Sequence, residues 1–355
     1  MPDSWTFAVA RDDLGRTTLA ETSTPALVDG EALLRVDRVG LTANNVTYAV
    51  LGESMRYWQF FPGEPRGLGP EWGLPPLWGF AEVVESTVAG VDKGQRVYGY
   101  LPPAGHLVVR PDRVDSTGFR DATEHRADLP SPYNAYRSVT GDAAYRADQE
   151  DLLILFRPLF FTSFMLADQV ADNGFYRADQ LILSSASSKT AYAAAFELHG
   201  RGPGIVGLTS PGNVAFTESL GCYDTVLTYD AVEDLGTKSS VYLDLSGAPD
   251  TRAALRARLG DHLVRDIAVG LTNRIPNADA AGEVFFAPVQ MRKRRQDWGR
   301  DGLDERFAEA WKRFAAVAGQ WLDVRAGAGP EDLRRAWLEV LDGRTPPRVG
   351  QVVQL

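Results

Sequence analysis

The first third of the chain alternates short apolar runs with Gly and Pro. Ala32–Val39 reads as a strand ended by turn chemistry at Gly40. Phe80–Val88 is β-branched and bounded by Gly79 and Gly90, and Gln95–Tyr100 and His106–Arg110 are further short strands. Short strands at this spacing predict an all-β barrel or sandwich. The period then changes. Asp151–Asn173 predicts a strand or turn followed by a helix. Leu181–Leu183, Ile205–Thr209, Thr225–Tyr229, Ser240–Leu245 and His262–Val269 read as strands. Between them, Ala191–Leu198, Val214–Leu220 and Thr251–Leu259 read as helices. Such alternation predicts a parallel, doubly wound sheet. Glu305–Trp321 and Pro330–Leu341 predict helices, and Val349–Leu355 a closing strand. The pentapeptide Tyr-Arg-Ala-Asp-Gln occurs at Tyr145–Gln149 and again at Tyr176–Gln180, and is read as two similar turns entering similar strands.

Composition narrows this picture. A chain of 355 residues exceeds what one core normally fills, so two domains are expected. The balance of 37 Lys+Arg against 47 Asp+Glu, a net charge of −10, argues against a nucleic-acid partner. One cysteine, Cys222, excludes an internal disulfide and a multi-cysteine structural zinc site. The four histidines are His106, His125, His199 and His262, and no metal is expected. The segment Met1–Arg11 carries no long apolar stretch. The runs Leu152–Phe156 and Leu159–Phe161 fall short of the ~20 residues that span a bilayer. A cytoplasmic protein without a membrane partner is the expectation.

Several segments together resemble the medium-chain dehydrogenase/reductase superfamily. Val39-Gly40-Leu41-Thr42-Ala43-Asn44-Asn45-Val46 stands where that superfamily has a Gly-x-Asn-x-x-Asp segment in its substrate cleft. Leu77–Val84 is similar to its Pro-x-x-Gly-x-Glu-x-x-Gly-x-Val stretch, and Gly90–Gly99 to its Gly-Val-x-x-x-Gly-Asp-x-Val motif. Leu181–His199 matches the first strand, phosphate loop and helix of its cofactor domain. Leu220–Tyr229 and Val349–Val353 resemble two later segments. The resemblance covers most of the chain in the correct order. It implies an α/β protein: a GroES-like β-rich catalytic domain (1–135), a Rossmann-type doubly wound parallel sheet domain binding NADP(H) (136–320), and a C-terminal return (321–355). It also implies a homodimer.

Departures from the superfamily pattern refine the implied chemistry. Phe80 occupies the position of a zinc-binding histidine, and no cysteine stands in the β-rich part, so the zinc-free quinone oxidoreductase and enoyl reductase branch is implied. The phosphate loop reads Ser184-Ser185-Ala186-Ser187-Ser188-Lys189-Thr190-Ala191. Small residues permit close backbone approach, hydroxyls can donate to phosphate, and Lys189 adds a cation at the helix start. The same residues also make an ordinary helix cap. Ser-Lys-Thr resembles the end of a Walker A loop, but the upstream glycines are missing. The strand Ile205–Thr209 ends without a carboxylate, which favours a 2′-phosphate over a 2′-hydroxyl. Ser185, Ser187, Ser188, Lys189, Thr190, Thr209, Ser210 and Asn213 are the cofactor candidates. Tyr229 is either beside the adenine or an ordinary strand-end tyrosine. Thr162, Asp244–Gly247 with Ser246, and Val269–Leu271 with Leu271 are candidates for the nicotinamide end, and each is equally an ordinary core or turn position.

Tyr57, Trp58, Phe60, Phe61, Trp72 and Trp78 crowd one stretch rich in Gly and Pro, which either lines a cleft for an apolar or aromatic small molecule or packs as a satellite core. Tyr57 and Tyr48 are the proton-donor candidates, with Asn45 as a polar positioner. Tyr133–Arg137 is expected to form a lid or a subunit contact. Arg292–Arg295 is either a solvated helix-flanking run or an anchor for an acidic ligand. The function expected is hydride transfer from NADPH to an activated carbonyl, quinone or conjugated alkene. The alternatives are a non-catalytic NADP(H)-binding scaffold, or non-redox chemistry on an acidic metabolite such as an acyl-CoA.

Overall fold

The computed structural model describes residues 4–269 and 283–355. In chain order the strands are β1 Ser4–Ala10, β2 Thr17–Thr22, β3 Ala32–Leu41, β4 Trp72–Gly73, β5 Leu77–Ser86, β6 Arg96–Leu101, β7 His106–Val109, β8 Pro111–Asp115, β9 Gly118–Asp121 and β10 Ala135–Ser138. They continue with β11 Gln180–Leu183, β12 Gly204–Thr209, β13 Thr225–Thr228, β14 Ser240–Asp244, β15 Leu263–Val269, β16 Glu283–Phe285, β17 Asp323–Ala328 and β18 Val349–Gln354. The helices are α1 Ala43–Val50, α2 Glu150–Asp172, α3 Lys189–Leu198, α4 Val214–Ser219, α5 Pro249–Leu259, α6 Ala287–Ala318 and α7 Gly329–Leu341.

Two units form. The first holds the residues up to Leu155 together with Leu322–Leu355, and the second holds Phe156–Trp321. The sequence boundaries of 135 and 320 differ at the first junction, because β10 pairs with β6 and β9 and so stays with the first unit.

The first unit contains a nine-stranded sheet ordered β17-β18-β3-β5-β6-β10-β9-β8, with β7 also paired to β3, and a three-stranded sheet β2-β1-β4. The final strand returns to the early chain: Val353 stands opposite Val39 in the β18·β3 register. A Cβ on Gly40 would collide with Ile154, and one on Gly350 with Leu155, so these glycines let the start of α2 lie close on β3 and β18. Helix α7 buries Leu333, Ala336 and Trp337, an i, i+3, i+4 stripe. Trp337 lies tilted against Phe7, ring centroids 6.3 Å apart, and donates its indole N–H to the Leu14 carbonyl at 2.9 Å. Burial of each such large side chain stabilises the unit by roughly 1.5–3 kcal/mol.

The second unit is built on a six-stranded sheet ordered β13-β12-β11-β14-β15-β16, every pairing parallel. This is the doubly wound order, with the chain moving outward from β11 first on one side and then on the other.

Four local expectations are corrected. Residues 151–173 form no strand: α2 is one helix, starting with Glu150 and Asp151, where acidic groups favour a helix N-terminus. Its Leu- and Phe-rich run suits a helix as well as a strand, and length decides. Over Ala147–Asp172 it is also long and apolar enough to cross a membrane, contrary to the reading of short apolar runs, and 67% of an 18-residue window within it is buried inside the protein. The repeated pentapeptide enters α2 in one copy and β11 in the other. In the second copy Tyr176 and Arg177 take left-handed φ of 53° and 58°. The helix predicted at 305–321 begins at Ala287 and is broken at Gly299, whose φ of 73° favours glycine.

Candidate functional site

Because its strands run parallel, the second unit gathers the carboxyl ends of β11, β12, β13 and β14 along one edge, where open α/β sheets bind ligands. β11 ends at Leu183, and Ser184–Ser188 turns into α3. Ser188 caps the helix, its hydroxyl accepting the Ala191 N–H at 3.3 Å. Ser185 sits at φ +51°, a left-handed position where glycine is at ease, and gives its N–H to the Tyr229 hydroxyl at 2.9 Å. The loop lies flat on β12: a Cβ on Gly207 would stand 2.9 Å from the Ala186 side chain, and the Tyr223 hydroxyl donates to the Ala186 carbonyl at 2.9 Å.

Ser187 is the centre of the hydroxyl cluster. Its Oγ accepts from Thr209 Oγ1 at 3.3 Å and from Asn213 Nδ2 at 3.2 Å. Asn213 also donates to Ser210 Oγ at 3.0 Å. A hydroxyl oxygen has two lone pairs, so the Ser187 proton is left to donate. Thr209 is buried and Ser210 exposed. The structure thus joins Ser185, Ser187, Ser188, Thr209, Ser210, Asn213 and Tyr229. Lys189 is half-buried at the first position of α3, and desolvation lowers its ammonium to about 8. The neighbouring Thr190 accepts the Ser163 hydroxyl on its carbonyl at 2.7 Å.

Asp244 stands at the end of β14, at the head of the Asp244–Gly247 segment predicted for the nicotinamide end. It is 3% exposed, and its Oδ1 accepts from the Ser184 and Tyr242 hydroxyls at 3.0 Å and from the Ser246 N–H and hydroxyl at 3.0 and 2.9 Å. Its Oδ2 pairs with Arg252 at 3.0 Å. Ser184 in turn accepts the N–H groups of Leu245 and Ser246. This carboxylate ties the loop after β11 to the loop after β14 and brings Ser246 beside the cradle. Thr162 lies on α2, where its hydroxyl donates to the Pro158 carbonyl at 3.1 Å. Leu271 and Gly270 lie outside the described residues.

In the first unit, Tyr48, Tyr57, Phe60, Trp78, Tyr100 and Tyr133 form one aromatic cluster. Tyr100 is its hub, 4.9 Å from Trp78, 4.8 Å from Tyr133, 5.2 Å from Phe60 and 5.4 Å from Tyr48. The Tyr48 hydroxyl accepts from Asn44 Nδ2 at 2.6 Å and from Trp78 Nε1 at 3.1 Å, with the amide assigned so that its nitrogen faces the oxygen. These two donors fill both lone pairs, and the Tyr48 proton faces a site where the Tyr133 hydroxyl also interacts with it. The Tyr57 and Tyr133 hydroxyls lie 3.2 Å apart. Burial raises the pKa of Tyr48, Tyr57, Tyr100 and Tyr133, while the Trp78 donor pulls Tyr48 back.

Other predicted residues fall elsewhere. Asn45 is buried and fully employed: its Oδ1 accepts the Thr42 N–H at 2.8 Å and its Nδ2 donates to the Pro76 carbonyl at 2.9 Å. It braces α1, which places Asn44 and Tyr48, instead of facing a ligand. Trp58 and Phe61 are core. Tyr133–Arg137 is no lid: Tyr133 joins the aromatic cluster, and Tyr136 donates from β10 to the Tyr100 carbonyl at 2.8 Å. Phe80 is buried against Tyr98 at 5.3 Å with the Arg96 guanidinium 4.9 Å over its ring. Among the described residues no group of three His, Cys, Asp or Glu side chains is placed to hold a metal. Half of the basic run is consumed by structure, Lys293 pairing with Asp172 and Arg294 with Asp168, Asp172 and Asp297, while Arg292 and Arg295 are exposed.

Among curated proteins none matches the chain in sequence. In structure it is similar to CurA of Vibrio vulnificus in complex with NADPH, with a TM-score of 0.63, 13% identity and coverage of 99% of this chain and 98% of that one. It is also similar to the CurF ER cyclopropanase of the curacin A biosynthetic pathway, with a TM-score of 0.60, 13% identity and coverage of 99% of each chain. The quinone oxidoreductase of Coxiella burnetii aligns with a TM-score of 0.50, 12% identity and coverage of 99% of each chain. These likenesses establish the fold, that of the medium-chain dehydrogenases and reductases. Residues 39–346 match the family described as proteins of unknown function, DUF2855, and the chain belongs to that family.

Proposed function

We propose that this protein is an NADP(H)-dependent oxidoreductase that needs no metal and reduces an activated carbonyl, quinone or conjugated alkene. The observation that carries the reading is the Ser187 hydroxyl. Its lone pairs are filled by Thr209 and Asn213, so its proton is held for an acceptor at the carboxyl edge of the sheet. The residues fit a dinucleotide. Ser187, Thr190 and Lys189 would hold the pyrophosphate at the start of α3, where helix geometry leaves N–H groups without intrahelical partners. Thr209, Ser210 and Asn213 would meet the adenosine ribose, and the lack of a carboxylate there suits a 2′-phosphate. Tyr229 is committed through its hydroxyl to the loop. The cofactor, when bound, supplies the hydride.

For the substrate, Tyr48 would donate the proton. The Asn44 amide and Trp78 indole fix its hydroxyl and stabilise the oxygen as negative charge develops. The flat faces of Trp78, Tyr100 and Tyr133 would exclude water around an apolar or aromatic molecule. CurA, solved with NADPH, and the Coxiella burnetii quinone oxidoreductase share the fold and support the reading.

A second reading, a non-catalytic NADP(H) binder, is favoured by one feature: the Ser185 N–H, a natural phosphate donor, is already bonded to Tyr229. Thermal shift with NADPH and NADH, followed by NADPH oxidation against enones, quinones and aldehydes, separates the two. A ligand at 100 times its Kd stabilises by about 2.7 kcal/mol. No shift with either dinucleotide rejects both readings, and a shift without oxidation leaves the binder.

A further inference from the structure

Helix α3 has the cradle at its first turn and a separate cavity at its last. At about 1.5 Å rise per residue, its ten residues put the two roughly 15 Å apart. The cavity measures about 710 Å³, within the ~300–1,000 Å³ common for small-molecule sites. Four partly exposed aromatic rings line it: Phe164, Phe196, Trp298 and Trp321. Trp298 immediately precedes Gly299, where α6 breaks at positive φ, so the break sets the position of this ring.

The charges at the cavity are unevenly matched. Asp168 is held by Arg294 at 2.6 Å, and buried Glu197 by Arg313 at 3.2 Å. Arg201 spends one nitrogen on the Glu197 carbonyl at 3.2 Å. Arg306 lies 4.5 Å over the Trp298 ring and has no carboxylate partner among the described residues. Against Arg201 and Arg306 stands one unpaired lining carboxylate, Glu309. A guanidinium held over an indole through its charge still has N–H groups to donate, and these match a carboxylate in two parallel hydrogen bonds.

We propose that this cavity is a ligand site for a planar aromatic carboxylic acid. The ring lies among Phe164, Phe196 and Trp321, and the carboxylate takes the edge of Arg306, with Arg201 as the second cation. Cys222 lines the wall without reacting, since burial pushes its thiol up to about 12. The inference does not rest on the cofactor reading.

Three probes with one ring system test it on the full chain by calorimetry and tryptophan fluorescence: 1-naphthoate, 1-naphthamide and 1-naphthylmethylamine. The expected order is naphthoate tightest, the amide weaker by about tenfold or more, and the amine weakest. Arg306→Gln, on an exposed helix position, is expected to weaken naphthoate about tenfold at unchanged Tm, and Arg306→Lys to recover only part of that. Saturating NADPH should leave naphthoate affinity within twofold. Absence of naphthoate binding, tighter binding of the amine, indifference to Arg306→Gln, or displacement by NADPH each overturns the proposal.

Discussion

The Tyr229 hydroxyl accepts the backbone N–H of Ser185 at 2.9 Å, and Ser185 is held there at a φ of +51°. One strand-end tyrosine thereby sets the backbone of the loop that begins α3. Replacing Tyr229 with Phe removes that acceptor and should lower stability by about 1 kcal/mol, read by urea denaturation. The Ser185 N–H is then open to a phosphate oxygen, so NADPH affinity should hold or rise. A fall in affinity at unchanged stability would instead mean that the tyrosine hydroxyl itself meets the cofactor.

Lys189 titrates near 8 because its surroundings desolvate the ammonium. Its folded pKa lies below the unfolded value of about 10.4, so the unfolded chain binds the extra proton between the two. Stability is therefore expected to rise with pH across that window. Binding of an anionic cofactor runs the other way. Affinity for NADPH should be flat below pH 8 and weaken by up to about tenfold per pH unit above it, as the proton must be taken up on binding. In Lys189→Ala the affinity should be lower and this dependence gone. A profile identical in both proteins would remove Lys189 from the site.

Asp244 is buried, with Ser184, Tyr242 and Ser246 on one oxygen and Arg252 on the other. Asp244→Asn turns an acceptor into a donor facing Arg252, which keeps Asp266 at 3.2 Å as its remaining carboxylate. A loss of roughly 1–3 kcal/mol is expected from the buried hydrogen bonds left unmade. A variant as stable as the parent would show that the loops after β11 and β14 are held by other contacts.

Tyr48→Phe keeps the ring against Tyr57, 4.7 Å away, and removes only the hydroxyl. The Asn44 and Trp78 donors lose their acceptor, at about 1–3 kcal/mol. With a reducible enone or quinone, turnover should fall roughly 10²–10⁴-fold while NADPH affinity stays the same. Unchanged turnover would make solvent the proton source.

Much of the second unit was legible as pattern. The strands at 181–183 and 205–209 and the helix at 191–198 are short, apolar and separated by turn residues, so local order and period coincide. The helix at 150–172 was less legible, because a run such as Leu152–Phe156 suits either element and only its length in the folded chain decides. The Arg292–Arg295 run read as a solvated flank or an anchor for an acidic ligand, and nothing local showed that Asp168 and Asp172, on a distant helix, take up Lys293 and Arg294. Tyr133 sits far from Tyr48 in sequence, and nothing local marks it as part of the same aromatic cluster.

By itself the amino-acid order determined the alternation of strands and helices in the second unit and the hydroxyl-rich loop at 184–190. These are local properties of composition and period. The tertiary structure decided which hydroxyls still have a proton to give. That depends on lone pairs filled by residues far along the chain: Thr209 and Asn213 on Ser187, 22 and 26 positions away, and Trp78 on Tyr48, 30 positions away. The same distance rule separates Asn45, whose amide is used up in bracing α1, from its neighbour Asn44, whose amide meets Tyr48. Adjacent identical residues acquire different chemistry because a helix turns each one toward a different part of the fold.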